Sequence, residues 1–185
     1  MQKSIQRWEI SGILFIVAFG ASLHFLFEWS GYWRPMGIIA AVNESTWEHF
    51  KIAFWPSIIW ALIEFPFIRG KTSNFAIAKA AGLISMPLVI AVLFYGYTFF
   101  TGQHLLIADI IIFIIAVIVG QWVSMRLLSR SAIEVPWMRW LAYSALAIMI
   151  AAFATLSYYP AKNFLFAHPG SGEYGILSDY HPDDH

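Results

Sequence analysis

The chain has 185 residues, of which 59% are hydrophobic, 18% aromatic and only 12% charged, and its formal net charge is zero. A soluble domain carries about 25% charge, so a water-exposed globule is excluded. With no basic face and no recognition motif, so is a nucleic-acid partner. The lack of cysteine removes disulfides, thiol catalysis and cysteine-type zinc sites.

Hydrocarbon about 30 Å thick needs roughly 20 helical residues to cross. Five stretches are long enough, at about 10–29, 45–68, 75–100, 104–128 and 137–159. The expected architecture is all-α: a bundle of five transmembrane helices in residues 1–159, then an ordered or semi-ordered tail, 160–185. The first span follows M-Q-K-S-I-Q-R-W-E, which resembles the basic start of a signal peptide. The apolar run is too long for one and lacks an A-x-A-like cleavage site before His24, so it reads as an uncleaved span. In the second span Pro56 has no N–H to offer the carbonyl of Ile52.

Between the first two spans, Met36 to Val42 is apolar but too short to cross. It lies in the interface, or dips in and returns where protein shields its backbone. Either course brings Asn43 and Glu44 to the membrane boundary.

Orientation follows from lysine and arginine. Lys3, Arg7, Arg69, Lys71, Lys79, Arg126, Arg130 and Arg139 fall on the N-terminal side, whereas Arg34, Lys51 and Lys162 fall on the other. The expected location is the cell membrane, with the N-terminus cytoplasmic and the tail extracytoplasmic. The tail carries Glu173, Asp179, Asp183 and Asp184, and its His181 and His185 read as part of a mobile acidic end.

On this topology the polar residues gather at the outer end. His24 and Glu28 share a face of the first span, and Glu44 and Glu48 a face at the start of the second, with His49 one step round and Lys51 a turn below. Asp109 lies about 7.5 Å below the outer end of the fourth span, on a face continued by Ala116 and Gly120. The inner two-thirds is expected to be apolar apart from Glu64, Gln121 and a few hydroxyls, with Glu64 paired to Arg69 or Lys71.

A carboxylate deep in a span costs about 2.5–3.5 kcal/mol on insertion scales, so these acids must be paired, protonated, hydrated or metal-bound. Candidate metal ligands are His24, Glu28, Glu44 and Asp109. Mixed imidazole and carboxylate ligation suits zinc, manganese or ferrous iron rather than copper(I). His24, His49 and Glu48 are the candidate catalytic groups, and Asn43, Lys51 and Asp109 the candidate substrate contacts. Plainer roles stand beside these. Ser45-T-W-Glu48 fits a capping box, Asn43 a turn residue, Lys51 a snorkelling side chain and His24 a hydrogen-bonded core histidine. H-P-G-S-G at 168–172 reads as a tight turn, in a tail that folds back as a lid.

The stretches N-E-S-T-W-E-H-F-K (43–51), S-L-H-F-L-F-E-W-S-G (22–31) and F-A-H-P-G-S-G-E-Y-G-I (166–176) resemble an uncharacterised family of small prokaryotic multi-pass membrane proteins. The resemblance implies a stand-alone domain with a shared outer-face motif, and no reaction. Neither H-E-x-x-H nor G-x-S-x-G occurs.

Three functions fit. One is a metal-assisted hydrolase or group transferase acting on a lipid or lipid-linked substrate at the outer leaflet. Another is a non-catalytic subunit binding a solute or cation. The third is a structural subunit of a larger membrane complex. The expected partners are membrane lipids, with a homo-oligomer or a membrane complex as the protein partner.

Overall fold

A computed structural model describes residues 2–133 and 135–176; His181, His185, Asp179, Asp183 and Asp184 lie outside the described residues. The described residues form five α-helices: α1 (Gln2–Trp29), α2 (Thr46–Ile68), α3 (Phe75–Thr101), α4 (Leu106–Leu128) and α5 (Pro136–Thr155), with a short 3-10 turn, Arg34–Ile38, between α1 and α2. All five helices are long and apolar enough to cross a membrane. The described residues contain no strand, only an isolated bridge between Ala167 and Tyr174.

Two ends differ from the sequence expectation. α1 begins at Gln2 rather than near Ile10. Its polar first turns stay helical because Ile5 packs against Ile68, Ala78 and Leu128. α5 stops at Thr155 rather than near 159, because the chain turns there to bring Ser157 against Glu48 and Lys51.

Small residues set the helix spacing, as expected where backbones must approach in hydrocarbon. A Cβ on Gly82 would lie 2.7 Å from the carbonyl oxygen of Gly120, so α3 and α4 touch backbone to backbone. A Cβ on Gly20 would sit 2.8 Å from the carbonyl oxygen of Ile52, the group that Pro56 leaves without a helical donor. The core between these contacts is aliphatic and aromatic, centred on Ile16, Phe54, Leu83, Met86 and Val117. Large apolar side chains such as Leu14, Val92, Ile107 and Ile148 point outward. That is the arrangement of a bundle whose solvent is lipid.

At the end where α2 and α4 finish, the interior is more polar than the sequence reading allowed. Lys79 of α3 pairs with Glu9 of α1 at 2.6 Å and also with Glu64 of α2, and all three are buried. Ser124 donates to Glu9 at 3.2 Å, and Gln121 to the Glu9 carbonyl. The expected partners of Glu64 are engaged elsewhere: Lys71 donates to Ser4, and Arg69 sits over the ring of Phe65. Lys79 wins because it lies one turn inside α3, where α1 and α2 converge.

Candidate metal centre

The opposite end of the bundle, where α1 and α3 finish and α2 and α4 begin, carries the polar groups singled out above. The Arg34–Ile38 turn folds the linker back onto α1, and the Ala41 N–H donates to the carbonyl of Leu23 at 3.2 Å. Ala40 and Val42 are buried against Phe27. The apolar run is therefore shielded by protein and delivers Asn43 and Glu44 to the rim. Asn43 is occupied on both sides: its Oδ1 accepts from the Ser45 N–H at 2.8 Å, and its Nδ2 donates to the Gly175 carbonyl at 2.9 Å.

Ser45 starts α2, but its hydroxyl makes no cap bond, so the expected capping box does not form. Glu48 instead reaches back to the Val42 N–H at 3.1 Å and accepts from Ser157 Oγ at 2.6 Å. It also pairs with Lys51, whose Nζ donates to the Gly37 carbonyl at 2.8 Å and to Ser157 Oγ at 2.7 Å. Glu48 and Lys51 are 1% and 0% exposed. Lys51 therefore points inward rather than snorkelling, and the three acceptors use all three ammonium protons. This network ties α2, the linker and the chain after α5 together.

Three side chains converge on the rim. His24 Nε2 lies 3.4 Å from Glu44 Oε2, and His49 Nε2 lies 3.8 Å from the same oxygen. One ligating atom from each of the three falls within 4.8 Å of the others. Two ligands bound tetrahedrally at about 2.0–2.1 Å stand about 3.4 Å apart, so small rotations bring the trio into range of one ion. His49 Nδ1 lies 2.9 Å from the Ser45 carbonyl oxygen. A carbonyl can only accept, so Nδ1 carries the proton and the Nε2 lone pair faces Glu44. Ligating histidines are commonly fixed in this way. The hydrogen bond from His24 holds the Glu44 carboxyl below the usual carboxylate range, and the imidazoles of His24, His49 and His168 add to the effect.

The other candidates stand around this trio. Glu28 lines a cavity of about 150 Å³ together with His24, Asn43 and Glu44. Asp109 is engaged by Tyr97 and His104: the Tyr97 hydroxyl donates at 2.5 Å, and His104 Nδ1 lies 3.4 Å away. Its ligating atoms are not among the three that converge. Asp109 does border an apolar crevice of about 200 Å³ between α1, α2 and α4, lined by Val17, Ala21, Ile52 and Ile110, with His24 and His49 also on its wall.

Sequence reasoning missed His168, which lines the rim cavity together with Glu44. H-P-G-S-G gives a turn and nothing about where the turn lands, and the likeness of 166–176 to the family gives the histidine no role. The tail is docked over the site by the Trp47 N–H donating to the Leu165 carbonyl, by Trp47 stacked on Phe166, and by the Asn43–Gly175 bond.

A family comparison covers this same stretch, from the first helix to the tail turn. The chain belongs to DUF6512, a family of unknown function whose model matches residues 1–176. No curated protein and no solved structure matches it. The DUF6512 match takes in all five helices, the converging trio and the turn that carries His168.

Proposed function

We propose that this protein is a divalent-metal site built into a membrane bundle, and that it hydrolyses or transfers a group of a lipid or lipid-linked substrate at the extracytoplasmic face. The observation that carries the reading is the convergence of His24 Nε2, His49 Nε2 and Glu44, with the His49 lone pair fixed by the Ser45 carbonyl. Two imidazoles and one carboxylate match a common catalytic zinc set, in which a fourth position is left for water or substrate. Manganese and ferrous iron tolerate the same donors.

A metal there would supply a bound water acidic enough to be hydroxide near neutral pH. Glu28, on the same cavity wall, is the group we assign to take the water's proton and return it to the leaving oxygen. The apolar crevice shares His24 and His49 with the metal trio. A ligand with an acyl chain in the crevice therefore has its polar end beside the ion, which favours a lipid over a free cation or a water-soluble solute. The outward orientation rests on the lysine and arginine bias. Lys51 and Lys79 are buried in ion pairs, one from each side, so leaving them out keeps the bias.

The test is metal content of protein purified without chelator. About one equivalent of zinc, manganese or iron is expected, lost in His24→Ala and Glu44→Ala. No bound metal, and no thermal shift on adding any of the three, overturns the reading.

A further inference from the structure

His168 is held in the tautomer opposite to that of His49. Its Nδ1 accepts from two backbone N–H groups, of Gly170 at 3.1 Å and of Ser171 at 3.2 Å. Both are obligate donors, so Nδ1 carries no proton and the ring proton sits on Nε2. The turn that does this is itself braced. The His168 N–H donates to the Glu173 carbonyl at 2.8 Å, the Gly172 N–H returns to the His168 carbonyl at 2.9 Å, and Ala167 bridges Tyr174. Gly172 and Gly175 supply the left-handed backbone, at φ +73° and +70°. Gly175 in turn is clamped to Asn43.

The ring is half-buried and lines the rim cavity with Glu44, His24 and Glu28. A metal needs a lone pair at Nε2. His24 gains one by giving up the proton it shares with Glu44 and keeping one on Nδ1, whereas His168 Nδ1 faces two N–H groups and cannot take the proton from Nε2. Asn43, the amide on that wall, has its oxygen committed to Ser45 and one amide proton committed to Gly175.

We infer that His168 is a fixed N–H donor to the ligand, and that it receives an anionic oxygen of a phosphate-type headgroup whose other oxygen lies on the metal. This rests on the metal reading above. Without an ion, Glu28 and Glu44 would repel a phosphate; a divalent cation on Glu44 reverses the sign next to it. Phosphate binding should therefore require metal first and His168 second. The role also gives the docked tail a function: it brings an N–H donor to the cavity wall.

Asparagine at 168 keeps an oxygen near the Nδ1 position to hold the Gly170 and Ser171 N–H groups, but it has no distal donor. Full-length protein in maltoside micelles is loaded with manganese, and phosphate binding is read from ³¹P relaxation. One arm uses inorganic phosphate; the other uses micelles doped with phosphatidic acid. His168→Asn is expected to bind phosphate about tenfold to a hundredfold more weakly than wild type, with manganese affinity unchanged; His168→Gln, which carries a distal N–H, recovers part of the loss. An effect in both arms assigns the site to the phosphate group itself, and an effect in the lipid arm alone assigns it to a lipid headgroup. Equal phosphate affinity in wild type and His168→Asn in both arms overturns the inference. A loss of manganese affinity in His168→Asn also overturns it, since His168 would then be a ligand. Failure of wild type to bind manganese is a different result: it defeats the metal reading, and the inference with it.

Discussion

The Ser45 carbonyl oxygen lies 2.9 Å from His49 Nδ1 and so determines which nitrogen of that ring can bind a metal. Asparagine at 49 can still donate to Ser45 but has no atom at the Nε2 position. His49→Asn is therefore expected to fold with wild-type stability and to lose metal affinity by more than about 100-fold, beyond the 10- to 100-fold typical of disturbing a supporting contact. Isothermal titration with zinc checks it. Wild-type affinity in His49→Asn would remove His49 from the ligand set.

The buried Lys51–Glu48 pair offers a separate test of what holds the site in place. Removing one member of a buried pair costs about 3–5 kcal/mol because the other charge is left stranded, whereas replacing both by apolar residues is often close to neutral. Lys51→Met should lower stability by that amount, and Lys51→Met with Glu48→Leu should recover most of it. Chemical unfolding in micelles measures both. A Lys51→Met cost below about 1 kcal/mol would mean that the network does not anchor the linker.

Length and hydropathy were sufficient to read five membrane helices, because crossing hydrocarbon leaves a chain few options. The site was only partly legible. Helical spacing grouped Glu44 with Glu48, but Glu44 lies before the first turn of α2. The turn braced by Asn43 sends it toward His24 and His49, while Glu48 turns to Lys51. Glu9 fell outside the apolar stretch and so was not considered as an interior group. Its contact with Lys79 depends on the relative rotation of α1 and α3, which periodicity within one helix does not report. His168 depends on tail docking through single hydrogen bonds and one aromatic stack, which leave no periodic trace.

The triad at the other end predicts an asymmetry among its members. Two carboxylates face one ammonium, so one acid is in excess and Lys79 has no substitute. Lys79→Met should be the most damaging change, at about 3–5 kcal/mol, while Glu64→Gln should cost less than about 1 kcal/mol because it relieves the repulsion. Thermal unfolding of the two variants side by side decides it. An equal cost for both would show that the second carboxylate is not surplus.

Tyr158 closes the tail over the Arg34–Ile38 turn by donating its hydroxyl to the Arg34 carbonyl at 2.5 Å. Burial pushes this phenol above its ordinary value of 10.0. The unfolded phenol thus ionises first. The stabilisation is complete below pH 10 and is lost as the pH rises from there through the folded value. The melting-temperature difference between wild type and Tyr158→Phe should be constant up to about pH 10 and shrink above it. A difference that grows with alkali would contradict the hydroxyl's role as a donor.

The crevice beside the trio allows the proposed lipid binding to be tested apart from the proposed metal binding. Ala21 lies on its wall, with Ile110 and Val17 also lining it. Tryptophan at 21 would occupy space that an acyl chain needs, and Ala21 is not itself one of the three ligands. Ala21→Trp is therefore expected to keep zinc affinity within about twofold of wild type, less than the 1.4 kcal/mol that separates tenfold steps. It should also cut labelling of α4 by a photoactivatable lipid to the background seen on the outward face of α5. Labelling that persists would place the lipid chain elsewhere and overturn the lipid as the proposed substrate class.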